Sequence, residues 1–107
     1  MASVKIKMLS EEEFQKVIAQ DSVTLVDFYA DWCGPCRMLA PVLETVATEI
    51  GESATIAKLD IDKAQNTASQ FQVTSIPTMI LFKKGKEVGR LVGLRDATAI
   101  RQFITSA

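Results

Sequence analysis

A Cys-x-x-Cys pair at the boundary between a predicted strand and a predicted helix is the feature that most constrains this chain. Residues 24–30 are almost entirely apolar and predict a buried β-strand. After Cys33 and Cys36 the apolar residues recur at helical spacing, namely Leu39, Val42, Leu43, Val46 and Ile50. We therefore expect both cysteines to lie where a strand ends and a helix begins.

That position favours a particular sulfur chemistry. The first turn of a helix has unpaired N–H groups and the positive end of the helix dipole, and both stabilise a thiolate over a thiol. We expect Cys33 to be a reactive thiolate, and Cys36, three residues further on the same helix face, to close a disulfide with it. Pro35 suits a first helical turn, and Gly34 leaves room for a partner chain that approaches Cys33.

The residues around this pair resemble the thioredoxin family over nearly the whole chain. The matching residues are Asp27, Ala30, Trp32-Cys33-Gly34-Pro35-Cys36, Pro41, Lys58, Asp60-Ile61-Asp62, Ile76-Pro77-Thr78, Gly85 and Gly93. The resemblance implies a thioredoxin fold, an α/β architecture with a mixed five-stranded β-sheet flanked by four α-helices. It also implies one domain over residues 1–107. The sequence departs from common family usage at Tyr29, where tryptophan is frequent, and at Gln72, where glycine is frequent.

Length and charge independently limit the function classes. With 107 residues, 48% of them hydrophobic, the chain is long enough for one core and too short for two. Its net charge of −1 and the lack of a basic block disfavour nucleic acid and acidic membranes as partners. Residues 1–9 alternate polar and apolar, which predicts a first strand and neither a signal peptide nor a membrane span. We expect a cytoplasmic protein, with a mature organellar one left open.

The hydrophobic patterns predict a βαβαβαββα order of elements. A capping box at Ser10 opens a short helix that ends before Asp21, and Gly51 closes the long helix, in which Pro41 is expected to introduce a kink. The predicted strands are residues 1–9, 23–29, 55–61, 78–82 and 87–92, with a hairpin turn at 83–86. The remaining helices are predicted at residues 63–71 and 96–105.

Two charged residues interrupt predicted strands. Asp27 lies in the most hydrophobic segment of the chain, where a carboxylate is costly to bury unless it is paired or protonated. The resemblance places Lys58 beside Asp27, beneath Cys36. Since burial raises the pKa of a carboxyl group towards neutrality, Asp27 is predicted to exchange a proton with the Cys36 thiol. A purely structural ion pair is the alternative.

The resemblance also implies a groove that binds client proteins. The Ile76–Pro77 bond is expected to be cis and to lie against the cysteines, with backbone groups that contact an extended peptide. The expected rim of the groove is Trp32, Gly34, Pro35, Ile61, Val92 and Gly93, and the residues between the cysteines are also expected to tune the redox potential. For Trp32 and Ile76 ordinary packing at the surface remains an alternative.

Three function classes follow. The preferred one is a protein-disulfide reductase that works through a reversible Cys33–Cys36 disulfide without a cofactor. The chain lacks a GxGxxG motif for binding a nicotinamide or flavin, so a separate thioredoxin reductase is expected to reduce it again. The second is a disulfide-forming oxidase or isomerase. The third is a binding module, either a scaffold subunit or a metal site, although two cysteines without histidine cannot supply a usual zinc site in a monomer. No metal is expected, and a monomer is the default.

Overall fold

A mixed five-stranded sheet with helices on both faces organises the computed structural model, which describes residues 6–107. The elements in chain order are β1 Ile6–Leu9, α1 Glu11–Ile18, β2 Thr24–Tyr29, α2 Gly34–Ile50, a short 3₁₀ turn Gly51–Ser53, β3 Thr55–Asp60, α3 Gln65–Gln70, β4 Thr78–Lys83, β5 Lys86–Val92 and α4 Ala97–Thr105. The sheet order is β1-β3-β2-β4-β5. The first three of these strands run parallel, whereas β4 is antiparallel to β2 and β5 to β4. The predicted architecture is confirmed for the described residues.

Each face of the sheet has its own hydrophobic core. On one face the apolar stripes of α2 and α4 cover the sheet, and the buried side chains there include Leu39, Leu43, Ile100 and Ile104. On the other face α1 and α3 pack against the same strands around the rings of Phe14, Phe28, Phe71 and Phe82. The central strand β2 is therefore covered on both sides, as its largely apolar sequence predicts.

Local sequence signals account for the ends of the helices. Ser10 and Glu13 form the predicted capping box at the start of α1, and Asp96 accepts a hydrogen bond from the Ala99 N–H at the start of α4. Gly51 ends α2 with a φ of 56°, a backbone conformation that glycine adopts without strain. α2 is continuous through Pro41, and the expected kink there stays a prediction.

Most of the predicted first strand, residues 1–5, lies outside the described residues, and that part stays a prediction. The segment from β3 to α3 differs from the sequence-based expectation. The strand predicted at 55–61 ends at Asp60, and α3 is shorter than the predicted 63–71 because the Lys63 N–H bonds to the Asp60 carbonyl in a turn. Gln72, just after α3, adopts a φ of 54°, which is the left-handed region typical of the glycine expected at this position.

The topology brings several strand ends to one edge of the sheet. β2 and β3 are parallel and end at Tyr29 and Asp60, whereas the antiparallel β4 begins at Thr78 at the same edge. The two cysteines follow β2 there, and Pro77 directly precedes β4. Segments that are far apart in sequence therefore meet around the start of α2.

Candidate active site

The cysteine pair forms the first turn of α2, as its sequence position predicts. Cys33 is the residue that caps the helix, with an extended backbone conformation, and Gly34, Pro35 and Cys36 form the first helical positions. A disulfide joins Cys33 to Cys36, whose Cα atoms lie 5.2 Å apart. Only 5% of Cys33 and 2% of Cys36 are exposed, so Cys33 is the more accessible residue.

Backbone groups surround the Cys33 sulfur. The N–H of Cys36 donates a hydrogen bond to Cys33 Sγ over 3.2 Å, and the carbonyl oxygen of Ile76 lies 3.8 Å from the same sulfur. The Cys36 amide belongs to the first turn of α2, whose N–H groups have no acceptor within the helix, and it donates to this sulfur instead. When the disulfide is reduced, this donor and the helix dipole favour a thiolate at Cys33.

Asp27 is fully buried in the central strand β2. Its strand neighbour Leu25 and its register partner Met79 both belong to the core beneath α2, which places Asp27 on the α2 face of the sheet. Neither carboxyl oxygen has a hydrogen-bond partner. Burial raises the pKa of Asp27 from 3.8 to about 7, although the positive charge of Lys58 acts in the opposite direction. Asp27 can therefore hold or release a proton near neutral pH.

Lys58 lies opposite Asp27 without pairing directly with it. The two residues are register partners in β2 and β3, as the resemblance implies. Among residues 6–107 no ion pair joins them, and the Lys58 ammonium lies instead over the ring of Tyr29. Lys58 and Cys36 line the same cleft of about 260 Å³, together with Tyr29, Ala30, Asp31, Arg37 and Ala40. A purely structural Asp27–Lys58 ion pair does not describe this geometry.

The apolar residues expected at the groove divide into two sets. Ile61 and Ile76 are partly buried and pack directly against the cysteines and Ala30. Trp32 and Val92 are exposed, by 65% and 47% respectively. The first set covers the two cysteines, whereas the second is apolar surface that faces solvent.

Pro77 is hydrogen-bonded to Gly93 and follows Ile76, whose carbonyl oxygen lies near Cys33. The Ile76–Pro77 peptide bond is cis, as the resemblance implies. The N–H of Gly93 donates to the Pro77 carbonyl over 2.8 Å, and Gly93 has a φ of 93°, which a residue with a Cβ rarely adopts. The carbonyl of Ile76 points towards Cys33 Sγ. The structure thus brings Ile76, Pro77 and the cysteines together.

One polar residue of this region was missed by the sequence analysis. The indole N–H of Trp32 donates to Oδ2 of Asp62 over 2.9 Å. Asp62 belongs to the matching Asp60-Ile61-Asp62 segment, but no local sequence signal pairs it with a tryptophan 30 residues earlier.

Two further properties of the described residues bear on function. Within residues 6–107, no group of three or more histidine, cysteine, aspartate or glutamate side chains could hold a metal ion. No helix in the same range has the length and apolar character needed to cross a membrane.

Comparison with known proteins gives a consistent result. The family model described as "Thioredoxin" matches residues 5–106. A thioredoxin from Chlamydia trachomatis is 50% identical over 100 residues, which cover 94% of this chain and 96% of the relative. A Mycobacterium leprae protein named "Bifunctional thioredoxin reductase/thioredoxin" is 48% identical over 99 residues, 92% of this chain and 22% of the relative. The solved structure of a mutant thioredoxin from Halobacterium salinarum is 40% identical, with a TM-score of 0.87 over 99% of this chain and 93% of that one.

The fold and its Cys33–Cys36 pair define a thiol–disulfide oxidoreductase. The chain belongs to the thioredoxin family, whose members work through their own disulfide without a cofactor. Its activity is the reduction of protein disulfides.

Proposed function

We propose that Cys33 is the attacking thiolate of this reductase and Cys36 the resolving thiol. The observation that carries this assignment is the hydrogen bond from the Cys36 N–H to Cys33 Sγ at the N-terminus of α2. A thiolate at Cys33 gains this bond and the helix dipole, and both favour the charged form over the thiol. Cys33 is also the more exposed of the two residues.

The reaction proceeds by two exchanges between sulfur atoms. The Cys33 thiolate attacks one sulfur of a client disulfide, forms a mixed disulfide and releases the second client sulfur as a thiolate. Cys36 then loses its proton and attacks Cys33 Sγ, which breaks the mixed disulfide and releases the first client sulfur. The client gains two electrons and becomes a dithiol, while the protein becomes the Cys33–Cys36 disulfide.

Asp27 is proposed as the base for the second exchange. Its carboxyl group is buried on the α2 face of the sheet and has a pKa of about 7, so it can accept the Cys36 proton at neutral pH. Lys58 contributes through its charge, which lowers the pKa of Asp27 from the other strand. Gly34 and Pro35, between the two cysteines, are proposed to tune the redox potential.

The client is proposed to bind along the two sides of the cysteine turn. Next to the two cysteines lie Ile61, Ile76 and Pro77, and the exposed Trp32 offers a large apolar contact. Val92 and Gly93 extend this surface on the side of β5.

The wider cellular role is proposed from the family. A separate thioredoxin reductase is the proposed electron donor, and the Mycobacterium leprae relative supports this because its name joins the two activities. The 107 residues are proposed to act as one domain and as a monomer, in the cytoplasm, where a reducing environment keeps catalytic thiols available. The proposed clients are disulfide-containing proteins, without nucleic acid or membrane partners.

Substitution of each cysteine tests the assignment. In Cys36→Ser the second exchange is impossible, so incubation with a protein disulfide should accumulate a mixed disulfide between Cys33 and the client. Dithiothreitol should cleave this covalent complex. Cys33→Ser should form no such complex and should reduce no client disulfide. Mass spectrometry of the unreduced mixture measures the adduct. Accumulation of the adduct in Cys33→Ser, or undiminished reductase activity in both variants, would refute the assignment.

A further inference from the structure

The exposed indole of Trp32 is hydrogen-bonded to a side chain from another loop. Although 65% of Trp32 is exposed, its indole N–H donates to Asp62 Oδ2 over 2.9 Å. This hydrogen bond joins the residue before the attacking cysteine to the connection between β3 and α3. An exposed aromatic side chain without such a partner exchanges between several rotamers.

The acceptor is itself fixed by the connection between β3 and α3. The Asp62 N–H donates to Oδ1 of Asp60 over 2.9 Å, and the Lys63 N–H donates to the Asp60 carbonyl over 3.0 Å. The Ile61 N–H donates to the carbonyl of Tyr29 at the end of β2, over 2.9 Å. These bonds tie the connection to the edge of the sheet that carries the cysteines. The Asp62 carboxylate is therefore placed by backbone geometry before any client arrives.

We propose that Asp62 is a positioning residue for client reduction, because its carboxylate holds the Trp32 indole at the edge of the client groove. This inference rests on the proposed role of Trp32 in binding clients. A client that meets a fixed indole does not have to order it, so binding loses less conformational entropy. The cysteines are held separately, by the first turn of α2. Asp62 therefore acts on the binding of large clients and leaves the sulfur exchange itself unchanged.

Two substitutions at Asp62 separate this role from a general structural one. Asp62→Ala removes the acceptor and should raise KM for insulin disulfides about three- to tenfold, with dithiothreitol as the reductant and kcat unchanged. Reduction of a small aromatic disulfide, which is too short to occupy the groove, should proceed at the wild-type rate. Asp62→Asn keeps a side-chain oxygen as acceptor and should restore KM to within about twofold of the wild type. Asp21→Ala, at an exposed position between α1 and β2, is the matched control.

A double substitution tests whether Asp62 acts through Trp32. Trp32→Phe lacks the indole N–H, so adding Asp62→Ala to it should cause no further rise in KM. Because Trp32 is the one tryptophan in the chain, its indole N–H resonance reports the hydrogen bond directly and should move upfield in Asp62→Ala.

The outcomes distinguish the role of Asp62 from the proposed function of the protein. An unchanged KM in Asp62→Ala, an Asn variant that behaves like the Ala variant, or additive effects in the double variant would overturn the role of Asp62. Failure of the wild-type protein to reduce insulin and the small disulfide would instead refute the proposed function.

Discussion

The Nζ atom of Lys58 lies 4.3 Å from the centroid of the Tyr29 ring. An ammonium group over an aromatic face is attracted to the negative potential of the ring. Lys58 therefore has a partner other than Asp27, the residue directly opposite it in the sheet, whose carboxyl oxygens have no hydrogen bond. The lysine affects Asp27 through space, and the carboxyl keeps a pKa of about 7 instead of that of a paired carboxylate.

Removal of the Lys58 charge should raise the pKa of Asp27 further. In Lys58→Met the remaining effect on the carboxyl is burial, which favours the protonated form, so the pKa should exceed about 7. Titration of the carboxyl carbon by NMR in the oxidised protein measures it. Lys63→Met, at an exposed position just after β3, should leave the pKa unchanged. An equal or lower pKa in Lys58→Met would contradict the proposed electrostatic role.

The buried Asp27 should make the protein less stable as the pH rises. The folded-state pKa is about 7, against 3.8 for an unperturbed carboxyl, so between these pH values the folded state binds more protons than the unfolded state. As the pH rises from the unperturbed pKa through the folded-state pKa, Asp27 should therefore lower the free energy of unfolding by about 4 kcal/mol. Above the folded-state pKa this contribution should not change further. Below the unperturbed pKa both states are protonated and the loss disappears.

Denaturant unfolding of the oxidised protein at several pH values checks this linkage. Asp27→Asn cannot titrate, so the wild type minus variant difference in unfolding free energy should fall with pH by about that amount. Asp21→Asn, at an exposed position, should show the same pH dependence as the wild type. A difference between wild type and Asp27→Asn that does not vary with pH would show that Asp27 is ionised throughout.

Asp27→Asn should also slow the second exchange selectively. Without the buried base, deprotonation of Cys36 depends on solvent, and decay of the mixed disulfide at neutral pH should slow by about a hundredfold or more. Formation of the mixed disulfide should keep its rate, because the Cys33 thiolate is stabilised by α2. Rapid mixing with a protein disulfide, acid quenching and mass spectrometry separate the two steps. Equal rates of decay in both proteins would exclude Asp27 as the base.

Glu11 should stabilise the fold through α3. Its Oε2 accepts from the N–H of Thr67 over 2.8 Å and from the Thr67 hydroxyl over 3.1 Å, at the start of a helix whose own first residues provide no side-chain cap. Loss of this external cap in Glu11→Ala should lower the free energy of unfolding by about 1–2 kcal/mol. The neighbouring exposed Glu12 gives the matched control, since Glu12→Ala should cost less than about 0.5 kcal/mol. Equal unfolding free energies for the two variants would show that the cap adds nothing.

The sequence was informative wherever the cause of a structure is local. The capping box at Ser10, the end of α2 at Gly51 and the position of Cys33 before a helix depend on residues within one turn of each other. Asp27 was identifiable because a carboxyl group in an apolar strand needs an explanation, and the structure places it in the core. These features follow from residue types and short-range spacing in the sequence.

Other contacts could not be predicted because they join distant segments. Trp32 and Asp62 are 30 residues apart, and Glu11 reaches Thr67 across 56 residues. The position of the Lys58 ammonium depends on two competing partners, an aspartate and an aromatic ring, that both lie within its reach on β2. The strand register places both partners near Lys58, but only the three-dimensional arrangement of the side chains decides between them.

The short ring closed by Cys33 and Cys36 limits how much the protein changes when it transfers electrons. The two cysteines are only three positions apart, within one helical turn, so opening the ring releases little chain entropy in the unfolded state compared with a long-range crosslink. The two hydrophobic cores are held by the sheet and the remaining helical turns, which take no part in the exchange. We therefore expect the sheet and both cores to be the same in the oxidised and the reduced protein, so that the transfer of an electron pair requires no refolding step.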